Sequence, residues 1–356
     1  MTRAAARYRE AGVDIESKYE AVERATDAIR KTFTAGVVGD VGSFGGLFDP
    51  AKVGCRDAIL VASTDGVGTK LEVAKRAGIY DTVGRDLVHH CIDDILVQGA
   101  RPLFFLDYVA VGRMEPAMVS GLIRGCAEAC QENGVALLGG ETAEMPGLYA
   151  PGDFDLAGFI VGAVARERLL DGSRVRPGQE LLALRSSGLH TNGFSLARKI
   201  LFQDLGLDLG DRPRELEGRT VGESLLAVHR SYFGLLWPLL EKGRIAAMAH
   251  ITGGGLVDNL PRVLNGCDAR IDRSSWTPPA LFRLLCERGK VGPDEAYQVF
   301  NMGVGMVLIV DPSDVPEVDA HLRGQGEEVL RIGSTERAAG RTGSTGKVEG
   351  VVRWSR

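Results

Sequence analysis

The sequence lacks several patterns that would assign it to a common class at once. No run approaches the roughly 20 apolar residues of a membrane span. No G-x-x-x-x-G-K-[ST] phosphate-binding loop occurs, and no G-x-G-x-x-G joins the first strand to a helix, which argues against a Rossmann dehydrogenase. The six cysteines include no C-x-x-C pair, so we expect Cys126 and Cys130, four apart on a predicted helix, to be buried as small hydrophobic side chains.

The charge balance also excludes some partners. The formal net charge is −5 and the isoelectric point is near 5.8, which argues against broad nucleic-acid binding. Residues 1–10 are charged and lack the apolar core of a secretory signal, so we expect a cytoplasmic protein. With 356 residues, 44% of them hydrophobic and 25% charged, the chain suits a globular protein of two domains.

Short β-rich runs alternate with longer helical patterns, which predicts an α/β (α+β) fold with two mixed-sheet domains, residues 1–168 and 169–356. Turn signals between Leu169 and Gly178 mark the break between them. The predicted strands are Ala58–Thr64, Leu103–Val111, Val135–Leu138, Leu156–Ala165, Glu180–Leu184 and Val329–Gly333, and the main predicted helices are Thr82–Gln98 and Pro116–Glu132. A mobile loop is expected over residues 338–346, before a short apolar run at 351–354.

The segment Ser63–Lys70 follows an apolar run and places a carboxylate, two glycines and a lysine in what we interpret as one turn. Glycines let backbone N–H groups approach phosphate oxygens, an aspartate can hold Mg²⁺, and a lysine supplies a point charge. Taken alone, the pattern is equally compatible with an ordinary connection between a strand and a turn.

The helix predicted over 82–98 places Asp86, His90 and Asp93 on one stripe, with Asp94 at its boundary. The residues alone favour a solvated charged face.

Four further segments are rich in glycine. Gly39–Phe48 predicts a loop that orders on a ligand's phosphates, or an ordinary surface turn. Gly139–Gly147 follows a short strand and offers Glu141 and Glu144, which could bind a metal, accept from a ribose hydroxyl or amidine, or be solvated.

The other two, Ser187–Asn192 and His250–Gly255, each precede a helical run, where unpaired N–H groups favour an anion. His190 and His250 lie inside these loops, so each is as compatible with substrate contact as with a structural role.

Several motifs together resemble one family. G-G-E-T-A-E-M-P-G at 139–147, S-S-G-L-H-T-N-G at 186–193 and H-I-T-G-G-G at 250–255 are similar to the aminoimidazole ribonucleotide synthetase family, from about Tyr8 to about Gly333. The resemblance implies ATP-dependent closure of formylglycinamidine ribonucleotide to 5-aminoimidazole ribonucleotide in purine biosynthesis, with ADP and phosphate released. It also implies Mg²⁺ and a homodimer whose N-terminal domains form a shared β-barrel.

The loop chemistry and the resemblance together assign candidate residues. Expected ATP-binding residues are Gly42, Gly45, Gly46, Asp65, Gly66, Gly68, Thr69, Lys70, Gly139, Gly140 and Glu141. Expected substrate-binding residues are Ser187, Gly188, His190, Asn192, Gly253, Gly254 and Gly255. Asp65 and Asp94 are the expected metal ligands, and His190, His250 and Lys70 are the candidate catalytic residues.

Two positions depart from the family pattern, with Asp93 in place of an asparagine and Ser43 in place of a glycine. Two alternatives stay open: another ATP-using enzyme of the superfamily, of the formylglycinamidine ribonucleotide synthetase, selenophosphate synthetase or thiamine phosphate kinase type, or a scaffold that binds nucleotide without turnover.

Overall fold

The computed structural model describes residues 15–41, 45–338 and 350–355, and the chain divides into two compact units. The N-terminal unit comprises the chain up to Ile95 together with Ala100–Ala165. The C-terminal unit comprises Leu96–Gly99 and the chain from Arg166 onward. The predicted first domain, 1–168, includes residues 96–99, but in the structure these four residues belong to the second unit.

Helices and strands alternate along most of the chain. The helices are α1 (Ile15–Lys31), α2 (Leu71–Ala77), α3 (Asp81–Leu96), α4 (Pro116–Glu132), α5 (Phe194–Arg198), α6 (Val221–Leu225), α7 (Phe233–Glu241), α8 (Gly255–Asn259), α9 (Ala280–Gly289), α10 (Pro293–Val299) and α11 (Val315–Gly324). The strands are β1 (Ile59–Gly66), β2 (Arg101–Val111), β3 (Ala136–Glu144), β4 (Phe154–Val164), β5 (Glu180–Arg185), β6 (Ala247–His250), β7 (Cys267–Asp272), β8 (Val304–Val310), β9 (Val329–Arg337) and β10 (Val352–Ser355).

The sheet of the N-terminal unit has four strands in the order β1-β4-β2-β3. β4 pairs antiparallel with both β1 and β2, while β2 and β3 run parallel, so the sheet is mixed. Alternate residues of β2, such as Phe105 and Val109, are fully buried because they point to the covered face. On the other face Leu60 is 63% exposed and Phe159 is 45% exposed.

Helices α3 and α4 pack closely in this unit because glycines stand where they meet. A Cβ atom on Gly84 would lie 2.3 Å from the carbonyl oxygen of Leu122, and one on Gly125 would lie 2.0 Å from that of Asp81. Any larger residue at either position would push the helices apart.

The C-terminal unit is built on a six-stranded mixed sheet in the order β10-β7-β9-β5-β8-β6. Every residue of β8 is buried, as expected of a strand inside a sheet covered on both faces. Leu96 joins the hydrophobic core of this unit, together with residues such as Leu236 and Leu308. The placement of 96–99 in this unit thus has a physical basis in side-chain packing.

The predicted mixed α/β fold is confirmed, and the predicted strands and helices are present with small shifts of their ends. Two local interpretations are wrong. β1 continues through Asp65 and Gly66, and β3 continues through Glu144, so these residues lie in strands and not in turns. In both cases pairing with a neighbouring strand extends the element beyond its apolar residues. The predicted loop at 338–346 lies outside the described residues from 339 onward.

Cys126 and Cys130 are fully buried free thiols, as predicted, and burial raises their pKa well above the usual value. Over residues 15–41, 45–338 and 350–355, no helix has the length and apolar character needed to cross a lipid bilayer.

Candidate functional site

One charged cluster of the N-terminal unit is formed by strand β1 and helix α3. Nε2 of His90 lies 2.6 Å from Oδ2 of Asp65 and 3.6 Å from Oδ2 of Asp94. The hydroxyl of Ser63 donates to the same oxygen of Asp94 at 3.2 Å. The structure therefore brings together the two aspartates predicted to bind a metal.

The stripe of α3 is not the solvated face that the residues alone favour. Asp86 and Asp93 have no exposure, and His90 has 3%. Buried charges need partners, and those of His90 and Asp86 are Asp65 on β1 and Lys70 four residues beyond its end, which the helical pattern alone does not show. Burial tends to lower the pKa of His90, but the hydrogen bond that His90 donates to Asp65 and the charges of the aspartates together outweigh it and raise the pKa.

Burial is the largest effect on the pKa of Asp65 and tends to raise it, but the hydrogen bond from His90, the charge of His90 and the hydrogen bond from the backbone N–H of Gly66 together lower it. When it is protonated, His90 compensates two carboxylates that would otherwise repel each other. The donor set fits Mg²⁺, since the carboxylates of Asp65 and Asp94 are hard oxygen ligands that both approach Nε2 of His90.

Lys70 was predicted to contact a polyphosphate and is paired inside the unit. Its Nζ lies 2.7 Å from Oδ2 of Asp86, and neither side chain has any exposure. Burial lowers the pKa of Lys70, opposed by the Asp86 charge. A nucleotide role for Lys70 would require this ion pair to open and stays a prediction.

A cavity of about 550 Å³ lies in the N-terminal unit, between α1, α4 and the strands β2 and β3. Its size is in the usual range for a small-molecule site. It includes five of the predicted ATP-binding residues, namely Gly45, Gly46, Gly139, Gly140 and Glu141. Gly42 lies outside the described residues, as do Ser43 and Phe44.

The two glutamates of β3 have different surroundings. Glu141 lines the cavity, its side chain is 61% exposed, and it pairs with Lys18 at 3.0 Å. Oε1 of Glu144 accepts a hydrogen bond from the backbone N–H of Met114 at 2.6 Å. Glu141 is therefore the one that faces a ligand-sized space, and Glu144 supports a loop.

Both predicted histidines of the C-terminal unit belong to a buried cluster with a third, His229. The rings of His190 and His229 stack with centroids 3.8 Å apart, and Nε2 of His229 lies 3.1 Å from Nε2 of His250. His190 is 1% exposed, His229 0% and His250 5%. In the contact between His229 and His250, one ring nitrogen donates and the other accepts, so a proton can lie on either side of it.

His190 also has a strained backbone. Its φ angle is 61°, a left-handed value that non-glycine residues rarely adopt. The conformation lets Nε2 of His190 accept from the backbone N–H of Ser187 at 3.2 Å. The facing strand accommodates the ring through Gly305, where a Cβ atom would lie 2.7 Å from Cε1 of His190.

The two glycine-rich loops of this unit are each held by a buried asparagine. Nδ2 of Asn301 donates to the carbonyl of Gly188 at 2.9 Å, and its Oδ1 accepts from the hydroxyl of Ser186 at 3.0 Å. Nδ2 of Asn259 donates to the carbonyls of Gly253 at 3.1 Å and Gly255 at 2.8 Å. These amides fix the loops in place, since glycine has no side chain to do so.

Asn192 connects the two loops. A Cβ atom on Gly253 would lie 3.0 Å from Oδ1 of Asn192, so the predicted substrate-binding residues of both loops come together. The helices that follow are short: α5 continues as a π-helical segment at Lys199–Asp204, and α8 as a 3₁₀ turn at Leu260–Val263.

Sequence reasoning missed His229, Asn259 and Asn301. His229 does not lie in a glycine-rich segment, which was the signal that singled out His190 and His250. The two asparagines contact backbone carbonyls and N–H groups, and such contacts produce no recognisable spacing in the sequence. The Asn-Met-Gly at 301–303, where Met302 and Gly303 both have positive φ, is the one local signal for such a structural turn.

Two family descriptions match the chain. The AIR synthase related protein N-terminal domain matches residues 49–164, and the C-terminal domain of the same name matches residues 176–343.

Solved structures with the same fold include thiamine-monophosphate kinase from Stenotrophomonas maltophilia, with a TM-score of 0.69 and 18% identity over 93% of this chain and 96% of that one. Hydrogenase maturation protein HypE in complex with ATP has a TM-score of 0.65 and 19% identity over 95% of this chain and 91% of that one. At these identities the likeness concerns the fold.

Closer relatives are found among curated sequences. The phosphoribosylformylglycinamidine cyclo-ligase of Lactobacillus delbrueckii subsp. bulgaricus is 48% identical over 92% of this chain and 94% of its own length. The protein of that name from Bacillus pumilus is 44% identical over 94% of this chain and 97% of its own. The chain belongs to the phosphoribosylformylglycinamidine cyclo-ligase family.

Proposed function

We propose that this protein is the ligase of purine biosynthesis that closes formylglycinamidine ribonucleotide to 5-aminoimidazole ribonucleotide, with conversion of ATP to ADP and phosphate. The observation that supports this most is the identity of 44–48% with cyclo-ligases over more than nine-tenths of both chains.

The chemistry explains why ATP is needed. An amide oxygen is a poor leaving group. Transfer of the γ-phosphoryl group to the formamide oxygen gives an iminophosphate and ADP. A nitrogen of the same substrate then attacks the formamide carbon, the C–O bond breaks, and the oxygen leaves as inorganic phosphate. The protein's part is mostly positioning and stabilisation of charge.

In the N-terminal unit, Asp65 and Asp94 would hold Mg²⁺, which neutralises charge on the transferring phosphoryl group when bound. His90 keeps the two carboxylates in place before the metal enters. The backbone N–H groups of Gly68 and Thr69 come shortly after Asp65 and would bind phosphate oxygens, whereas that of Gly66 donates to Oδ1 of Asp65 at 2.7 Å.

In the C-terminal unit, the loops at 187–192 and 250–255 would bind the phosphate and ribose of the substrate. His190 and His250 would move the proton that ring closure releases, with His229 between them as a hydrogen-bonded neighbour. The strain at His190 supports a functional role, because strained residues cluster at active sites.

One experiment separates the proposal from its rivals. ADP release is measured with ATP and Mg²⁺, with and without formylglycinamidine ribonucleotide. The cyclo-ligase releases ADP and forms 5-aminoimidazole ribonucleotide only when that substrate is present. A sister enzyme would respond to a different substrate, and a nucleotide-binding scaffold would bind ATP without release of ADP.

We further propose that the protein acts in the cytoplasm as a homodimer whose N-terminal sheets together form a β-barrel. The sheet of one chain has an outer face with Leu60 and Phe159 exposed, and exposed apolar faces of this kind favour a protein partner. Sedimentation of the wild type and of Phe159→Asp tests this: we expect a dimer and a monomer, respectively. A monomeric wild type would rule out the dimer.

A further inference from the structure

The cavity of the N-terminal unit has one acidic side chain in its buried part. Apolar walls come from Val22, Ile29, Ile123, Leu137 and Leu138. Asp107 of β2 also lines it and is 7% exposed. An apolar space with one buried polar group is the usual form of a site for a flat heterocycle.

The two other acids at the cavity are already paired at its edge. Asp40 receives two hydrogen bonds from Arg30, at 3.0 and 2.8 Å, and Glu141 pairs with Lys18. Asp107 differs from both. In the described parts of the chain, no side chain forms a hydrogen bond or an ion pair with its carboxyl group.

The groups around Asp107 give it no positive charge. They are Glu141, whose charge raises the Asp107 pKa, and the buried thiols of Cys126 and Cys130. Burial is the largest effect; a backbone hydrogen bond opposes it and the charge of Glu141 adds to it, and together they raise the pKa of Asp107 to about 7. A buried carboxyl group without a cationic partner is costly to a fold, and such groups mark functional sites.

The absence of a side chain at Gly140 leaves room for the carboxyl group of Asp107. A Cβ atom there would lie 2.2 Å from Oδ1 of Asp107 and would displace it. The glycine thus has a role besides the approach of a phosphate that its motif suggests.

We propose that Asp107 determines base specificity, with an oxygen of its carboxyl group accepting a hydrogen bond from the exocyclic amino group of adenine. This inference rests on the proposed function and identifies which end of the nucleotide lies in the cavity. The apolar walls pack on the faces of the base, and Glu141 at the edge is placed to accept from ribose hydroxyls. A carboxyl oxygen accepts from an amino group in either protonation state, whereas a base with a carbonyl oxygen at that position offers no donor there.

The test compares two nucleotides in calorimetric titrations with Mg²⁺: ATP and purine riboside 5′-triphosphate, which lacks only the amino group. We expect the wild type to bind ATP about tenfold more tightly, the value of one hydrogen bond to a buried carboxyl group. In Asp107→Ala the ratio should fall to about 1. Asp107→Asn keeps an acceptor oxygen and should retain most of the preference.

Ile123→Val is the matched control. It removes one methylene group from an apolar wall of the same cavity, so it should weaken the binding of both nucleotides equally. Equal binding of the two nucleotides by the wild type would overturn the inference without any variant. An unchanged tenfold preference in Asp107→Ala would also overturn it. If the wild type binds and turns over ATP, either of these two results leaves the proposed function intact. A wild type that binds no ATP contradicts both the inference and the proposed function.

Discussion

The two units hold their functional side chains by different means. In the N-terminal unit, Asp65, His90 and Asp94 lie on a strand and a helix, and their positions follow from regular hydrogen bonding. In the C-terminal unit, His190 and His250 lie at or next to glycine-rich loops that are fixed by buried asparagine amides. Like charges that must stay close need rigid elements, whereas a loop that must surround a phosphate needs free backbone N–H groups.

The largest effect is expected for His190→Asn. We expect kcat to fall by about 10²- to 10⁴-fold if His190 transfers a proton, because general acid–base catalysis contributes that much. Asparagine tolerates the left-handed backbone, so the fold should be kept. Steady-state kinetics with His250→Asn in parallel decides between the two histidines.

A raised substrate KM with unchanged kcat would mean that His190 only contacts the substrate. Full activity of both variants with unaltered KM would remove these loops from the ribonucleotide site.

A somewhat smaller loss is expected for Asp94→Asn, which tests the N-terminal cluster. Removal of one carboxylate ligand should lower kcat by about 10²- to 10³-fold and raise the Mg²⁺ concentration needed for half-maximal rate. Metal titration of the activity measures both. Asp93→Asn is the matched control on the same helix and should be tolerated far better. A folded Asp94→Asn protein with the wild-type metal dependence would exclude Asp94 as a ligand.

Asp107→Asn should change stability in a pH-dependent way. The pKa of Asp107 is about 7 in the folded protein, against a usual value of 3.8, so the folded state binds the proton more tightly. The wild type therefore loses stability as pH rises from about 4 to about 7, by a few kcal/mol at 1.36 kcal/mol per pKa unit.

The variant lacks this titration, so it should be more stable than the wild type at pH 8 and lose the advantage below pH 4. Urea unfolding at several pH values measures it. A constant difference between the two proteins across this range would show that Asp107 titrates normally.

The smallest effect is expected for Asn259→Ala, which tests how the glycine loop of the C-terminal unit is held. Loss of the two hydrogen bonds to glycine carbonyls should cost about 1–3 kcal/mol of unfolding free energy and raise the substrate KM severalfold. Asn133→Ala is a suitable control, since its amide donates to the carbonyl of Ala129 at the end of α4. If both variants behave alike, the loop does not depend on Asn259.

Local patterns were enough to predict the strands and the helices, whereas the assignment of Asp65 and Asp94 as metal ligands draws on the family resemblance and stays a prediction. Local patterns failed where the structure depends on distant contacts. The helical spacing of Asp86, His90 and Asp93 shows a common face but not that this face is buried, because the partners come from β1 and from Lys70, which follows it.

The same limit applies to single residues. The strand pairing that carries β3 through Glu144 comes from β2, so the apolar run alone ends too early. His229 stacks on His190, which lies 39 residues earlier, and contacts His250, which lies 21 residues later. No local pattern around His229 shows these contacts. The burial of Asp107 does not follow from its strand pattern, since an aspartate in a strand is ordinarily taken to face water.

The segment Leu96–Gly99 has a consequence for dissecting the protein. A gene cut between the two family domains, after residue 164, would separate Leu96 from the core of the C-terminal unit to which it belongs. The isolated C-terminal half would then contain a cavity the size of a leucine side chain, at a cost of about 2–5 kcal/mol. Such a half should express poorly unless the N-terminal half is supplied with it, although each matches a family domain of its own.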